Sequence, residues 1–161
     1  MNLIALSPIW LIWLLSILLV LAAAEDSWRG RISNLTVALI AVGAVVSALL
    51  AGVQIAVWQN LLLVALIMVV GTFSFARGWM GGGDIKLLGA CALWLSLDVG
   101  WKMLVAVALA GGLVTIMILI LRKLPWAEQW GTHVNIFRRR GGIPYGIAIA
   151  VGMLLTVAYA R

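Results

Sequence analysis

Charge is what this chain has least of. Of its 161 residues only 10% are Asp, Glu, Lys or Arg, while 65% are hydrophobic, and the mean hydropathy is +1.19. Soluble domains carry about 25% charged and about 45–50% apolar residues, so this composition excludes a soluble enzyme or binding module. It predicts an integral membrane protein, all-α, with residues 1–161 forming one transmembrane domain. One cysteine, Cys91, and one histidine, His133, are present. A lone cysteine excludes a disulfide within the chain and a zinc site built on cysteine pairs.

A bilayer core about 30 Å thick needs roughly 17–25 apolar residues per helix. Runs at about 6–24, 34–52, 58–76, 84–97, 102–121 and 143–160 predict six transmembrane helices, the fourth being short. Pro144 suits the first turn of the last one, where a missing N–H leaves nothing unsatisfied. No Lys or Arg precedes the first run, and that run is long for a signal-peptide core, so it is read as a retained span.

Basic residues in short loops stay in the cytoplasm. Nine of the eleven Lys and Arg follow spans one, three and five: Arg29, Arg31, Arg77, Lys86, Arg122, Lys123, Arg138, Arg139 and Arg140; the other side holds Lys102 and Arg161. Both termini are therefore expected to be periplasmic, with the loop at about 122–142 in the cytoplasm. The net charge of +6 is mostly this topology signal, and RRRGG is read as a lipid-facing basic loop with no role in nucleic-acid binding. Trp10, Trp58, Trp79, Trp101, Trp126 and Trp130 fall near span ends, where amphipathic rings favour the interface.

The five acids are the informative residues: Glu25, Asp26, Asp84, Asp98 and Glu128. Asp98 and Glu128 fall in solvated positions. Glu25 and Asp26 close the first span and Asp84 opens the fourth on the same side, in the stretch MGGGDIK at 80–86. Ionisable groups at membrane depth mark function by default. Two bland alternatives stay open: Asp84 as a helix N-cap after a glycine turn, and Asp26 as a juxtamembrane acid beside Arg29 or Arg31. Three successive glycines exceed what a cap requires; they allow the backbone to curve and another chain to approach. Two carboxylates brought together cannot both ionise easily, so one holds a proton while the other acts as a base, a pair able to activate water against a peptide bond. Asp84, at a helix N-terminus, is expected to be the ionised member, and Asp26, at a helix C-terminus, the protonated one. Lys86 is expected to reach the headgroups or to help position the acids. Gly111, Gly112, Gly146 and Gly152 are read as packing positions between spans. A small proton- or cation-translocating protein and a non-enzymatic subunit of a secretion machine remain as rival classes.

AEDSWRGRISN at 24–34, GGGDIKLLGA at 81–90 and GGIPYGIAIAVG at 141–152 together resemble the type IV prepilin peptidases, most closely the short branch serving tight-adherence (Flp-type) pili. The resemblance implies a six-span membrane aspartic endopeptidase of the bacterial inner membrane, with its active site near the cytoplasmic face. It implies catalytic roles for Asp26 and Asp84, supported by Gly81, Gly83 and Lys86 of the Gly-x-Gly-Asp motif. Ser33 stands where proline is common in the first motif, a change to a turn that leaves the carboxylates in place. Substrates implied are prepilins or pseudopilins, losing a short basic leader. Longer members carry a cysteine-paired insert and methylate the new N-terminus; this chain has no such insert, so neither N-methylation nor S-adenosylmethionine is expected. No metal and no cofactor is expected. The partners are the substrate and the lipid bilayer, with a homo-oligomer left open.

Overall fold

The computed structural model describes residues 1–52, 56–121 and 144–161. Every regular element among these residues is a helix: α1 (Leu3–Leu6), α2 (Ile9–Arg29), α3 (Asn34–Leu50), α4 (Val57–Ala76), α5 (Gly82–Ala92), α6 (Leu97–Leu121) and α7 (Tyr145–Ala160). Three of them, α2, α4 and α6, are long and apolar enough to cross a membrane, and α3 and α7 are shorter apolar helices. The basic loop at 122–142, with its arginines, Trp126, Trp130, Glu128 and His133, lies outside the described residues.

The helices are apolar almost all round, and their outward faces stay apolar. Leu39, Val42 and Leu49 of α3, Val69 and Phe73 of α4, and Leu109, Leu113 and Ile120 of α6 are all exposed. An apolar face of that extent is stable only against lipid or another apolar surface. The protein interior is built around α5, whose residues are buried except Gly82, Gly83 and Lys86. It packs against α3, α4 and α7, while α7 lies along both α6 and α2.

Several boundaries differ from the hydropathy reading, those at the end of α2 and on either side of residues 93–96 for clear physical reasons. α2 runs on to Arg29, past the end of its apolar run at 24, because a helix needs backbone hydrogen bonds and tolerates charged side chains once it leaves the membrane. Asp26 is therefore a helical residue. The stretch expected as a span at 84–97 ends as a helix at Ala92, and α6 begins at Leu97, before the expected 102. The chain between them is irregular yet buried, which requires other parts of the protein to satisfy its backbone. The carbonyl of Leu93 accepts from Asn60 Nδ2 at 2.8 Å, and that of Trp94 accepts from the Leu3 N–H at 2.9 Å. Trp94 itself is among the largest fully buried side chains; its indole N–H donates to the Ile40 carbonyl at 3.1 Å.

Small residues set the helix spacing. A Cβ on Gly152 of α7 would stand 2.7 Å from the Val107 nitrogen and 2.8 Å from its Cα on α6, and backbone cannot move aside as a side chain can. Gly111 faces Ala148 across the same seam, whereas a Cβ on Gly112 would meet nothing within 4 Å. The packing role expected for Gly111 and Gly152 is thus seen; Gly112 faces open space. Gly152→Ala is expected to lower stability by about 1–3 kcal/mol through overpacking, read as a lower thermal midpoint in detergent. Gly112→Ala should be neutral or up to about 1 kcal/mol more stable, from helix propensity alone. Equal midpoints for the two variants would contradict the close α6–α7 contact.

Candidate active site

The last turn of α2 presents its two acids to different neighbours. Successive helical residues are separated by about 100° around the axis, so Glu25 and Asp26 diverge. Glu25 accepts the Ser33 N–H at 2.9 Å and the Thr36 hydroxyl at 3.2 Å. Ser33, where proline is common in the family, is the N-cap of α3, its Oγ accepting the Leu35 N–H at 3.1 Å. Glu25 is therefore a clamp on the α2–α3 corner. The corner is tight because Gly30 takes the left-handed conformation (φ 64°) and returns its N–H to the Asp26 carbonyl at 2.8 Å.

Asp26 points the other way and is buried, with 7% of its surface exposed. Its Oδ2 accepts the N–H of Gly146 at 2.8 Å. Gly146 is the second residue of α7, after the cap at Pro144, so Asp26 supplies an acceptor to one of the four amides that a helix N-terminus leaves without partners.

Asp84 is the third residue of α5 and is 9% exposed. It is not the N-cap; Gly81 is, and the Asp84 Oδ2 reaches back to accept the Gly81 N–H at 3.2 Å. That is the returning half of a capping box, the half that a glycine cap leaves possible. A Cβ on Gly81 would stand 2.9 Å from that oxygen. Gly83 faces the α2–α3 corner, where a Cβ would meet Ile32 at 3.5 Å. The expected close approach is present. The expected unusual backbone is not, since positive φ among the described glycines belongs to Gly30, Gly52 and Gly78. The MGGG glycines serve proximity, and Gly78 makes the turn that precedes them.

Asp26 and Asp84 line one cavity of about 270 Å³, together with Gly30, Arg31, Ile32, Asn34, Gly81, Gly82, Gly83 and Lys86. Lys86 is exposed, and its Nζ donates to Asn34 Oδ1 at 3.2 Å across to the start of α3. It also lines the cavity wall. Asp98 lies apart, exposed and paired with Lys102 at 3.5 Å. Cys91 is buried in α5. Among the described residues no group of three or more His, Cys, Asp or Glu lies together.

Asp84 stands in the first turn of α5 and Asp26 in the last turn of α2, the positions on which the expected division of labour rests. Asp26 gains in addition an amide at the N-terminus of α7, the Gly146 N–H on its Oδ2, as Asp84 has the Gly81 N–H on its own. Gly146 is the residue that sequence reasoning missed in this role.

Helices with lipid-type outer faces around a polar cavity that holds two buried carboxylates define a membrane-protein class with acid–base potential at its edge. A family model described as the type IV leader peptidase family matches residues 13–121, and the chain belongs to that family. It is thereby a leader-peptidase-type protease of an aspartic family. The matched segment includes Asp26, Asp84, Gly81, Gly83 and Lys86 and stops before α7. No curated protein and no solved structure matches the chain.

Two neighbouring carboxyl groups, each buried with one amide donor, are costly to keep out of water. Asp84→Asn is therefore expected to leave the thermal midpoint in detergent unchanged or to raise it. Glu25→Ala, which strips the α3 entry of its clamp, should cost about 1–2 kcal/mol. A larger loss for Asp84→Asn than for Glu25→Ala would reverse the roles assigned to these acids.

Proposed function

We propose that the chain is a membrane-embedded aspartic endopeptidase that removes the short basic leader of prepilins or pseudopilins, with Asp26 and Asp84 as its catalytic pair. One observation carries the reading: two acids distant in sequence, among only five in the chain, line the same small cavity. The pair shares one proton. The protonated acid donates to the scissile carbonyl and polarises it, while the carboxylate takes a proton from water as the water oxygen attacks the carbonyl carbon. Collapse of the tetrahedral species breaks the C–N bond, and the departing amine takes up a proton. No covalent intermediate forms, and neither S-adenosylmethionine nor methyl transfer is part of the reaction.

Gly81, Gly83 and Lys86 support the pair: Gly81 by leaving room for the returning Asp84 carboxylate, Gly83 as part of the cavity wall, and Lys86 by bridging to Asn34. Cleavage of a co-expressed prepilin, followed by mobility shift at equal membrane levels, tests the assignment. Asp26→Asn and Asp84→Asn should each reduce processing by about 10²–10⁴-fold, whereas Asp98→Asn should process normally. Retention of processing in both of the first two would remove the proposed mechanism.

We further propose a single domain that crosses the bacterial inner membrane six times, with periplasmic termini, the cavity near the cytoplasmic face, and the short Flp-type branch as its place within the family. The bias of Lys and Arg toward one side supports this orientation. So does the donation from Asn2 Nδ2 to the Ala160 carbonyl at 3.2 Å, which brings residues near both ends to one side, as an even number of crossings requires. A periplasm-dependent reporter fused after Arg161 should be active and one fused at 122–142 inactive; the opposite pattern would invert the topology.

A further inference from the structure

The family match ends at residue 121, yet the amide that fastens Asp26 belongs to α7, beyond it. We infer that Gly146 is a positioning residue for the Asp26 carboxylate, so that the first turn of α7 is an integral part of the catalytic pair's geometry. This rests on the proposed roles of Asp26 and Asp84.

Two observations carry it. The Gly146 N–H to Asp26 Oδ2 hydrogen bond is 2.8 Å long and buried. It leaves one carboxylate oxygen fixed and orients the other. The same approach leaves no room for a side chain at 146: a Cβ there would lie 2.8 Å from Asp26 Oδ2, 2.9 Å from its Cβ and 3.1 Å from its Cγ. All three nearest atoms belong to Asp26. Any residue larger than glycine must therefore displace the acid itself, away from α7 and toward the cavity it lines. A displacement of about 1 Å at a reacting group is enough to reduce turnover by about 10²-fold. Because the effect is on the orientation of an acid, it falls on kcat and spares substrate affinity.

Gly81 has the corresponding relation to Asp84, a donated N–H at 3.2 Å and a Cβ that would sit 2.9 Å from the accepting oxygen. The pair is thus held by two glycine amides, one from the recognised motif and one from outside the matched segment.

The test uses the full chain in detergent with a purified prepilin-type substrate, comparing wild type, Gly146→Ala, Gly112→Ala, Asp26→Asn and Asp84→Asn. Gly146→Ala is expected to lower kcat by about 10²-fold with KM changed less than threefold, while Gly112→Ala retains wild-type kinetics. A fall in kcat of less than tenfold, or a loss carried by KM alone, would overturn the inference. Should Gly146→Ala fail to accumulate, it is compared with Gly146→Ala in an Asp26→Gly background, where the three crowding atoms are absent. Recovery of wild-type membrane levels there supports the contact as the cause; no recovery overturns it. Activity persisting in both Asp26→Asn and Asp84→Asn would instead remove the catalytic reading beneath, a result distinguishable from normal kinetics in Gly146→Ala alone.

Discussion

Removing a carboxylate from water is among the most unfavourable steps in folding, costing several kcal/mol unless donors replace the lost hydration. This chain buries two of them, Asp26 and Asp84, in a bundle whose side chains offer few donors. The donors come from the backbone. Amides in the first turn of any helix have no partner within that helix, and the fold brings one such turn to each acid: Gly146 of α7 to Asp26, and the Gly81 cap of α5 to Asp84. Each contact satisfies an acid and a helix end together. At Gly146 the approach also demands glycine, because a Cβ there would crowd the Cβ and Cγ of Asp26 as well as the accepting oxygen.

That arrangement governs how the surrounding helices are joined. Asp26 meets α7 while the neighbouring Glu25 ties down the entry to α3, so a single turn of α2 fixes two other helices. The left-handed Gly30 ends α2 immediately afterwards and lets the chain reverse. Lys86 joins α5 to the beginning of α3 through Asn34. Farther along α5, the buried turn at 93–96 is pinned by Asn60, by the Leu3 amide and by the Trp94 indole. α5 is consequently anchored at both ends by polar contacts and along its length by apolar ones, as suits the helix that presents Asp84.

The apolar helices were legible in the sequence because partition into a membrane depends on length and composition, which a run of residues states openly. Their ends were less so. Hydropathy marks where side chains leave lipid, whereas a helix ends where its hydrogen bonds do, which is why α2 carries Glu25, Asp26 and Arg29 within it. The break after Ala92 has no local signal at all, since the groups that satisfy it come from Leu3 and Asn60. Asp26 and Asp84 stood out through the scarcity of charge. Gly146 did not, because the group that matters there is a backbone amide, identical in nearly every residue type, and its partner is 120 positions away. Ser33 was legible as a departure from a family pattern, and its side chain caps α3.

The cavity's composition follows from the same economy of charge. Arg31 and Lys86 share its wall with the two acids, so both signs of charge line a space of about 270 Å³ bounded elsewhere by glycines, Ile32 and Asn34. Glycine walls leave backbone N–H and C=O groups accessible, and such groups are what an extended peptide would hydrogen-bond. With Oδ2 of each acid committed to a helix amide, the direction of each remaining oxygen is set by backbone geometry. Backbone position is in turn set by packed helices, which resist displacement more than any loop. In the proposed mechanism, where the pair addresses one water from two sides, that stiffness is an advantage, since proton transfer depends on distance and alignment before it depends on acidity. The glycines at 81 and 146 are the points at which that stiffness reaches the chemistry.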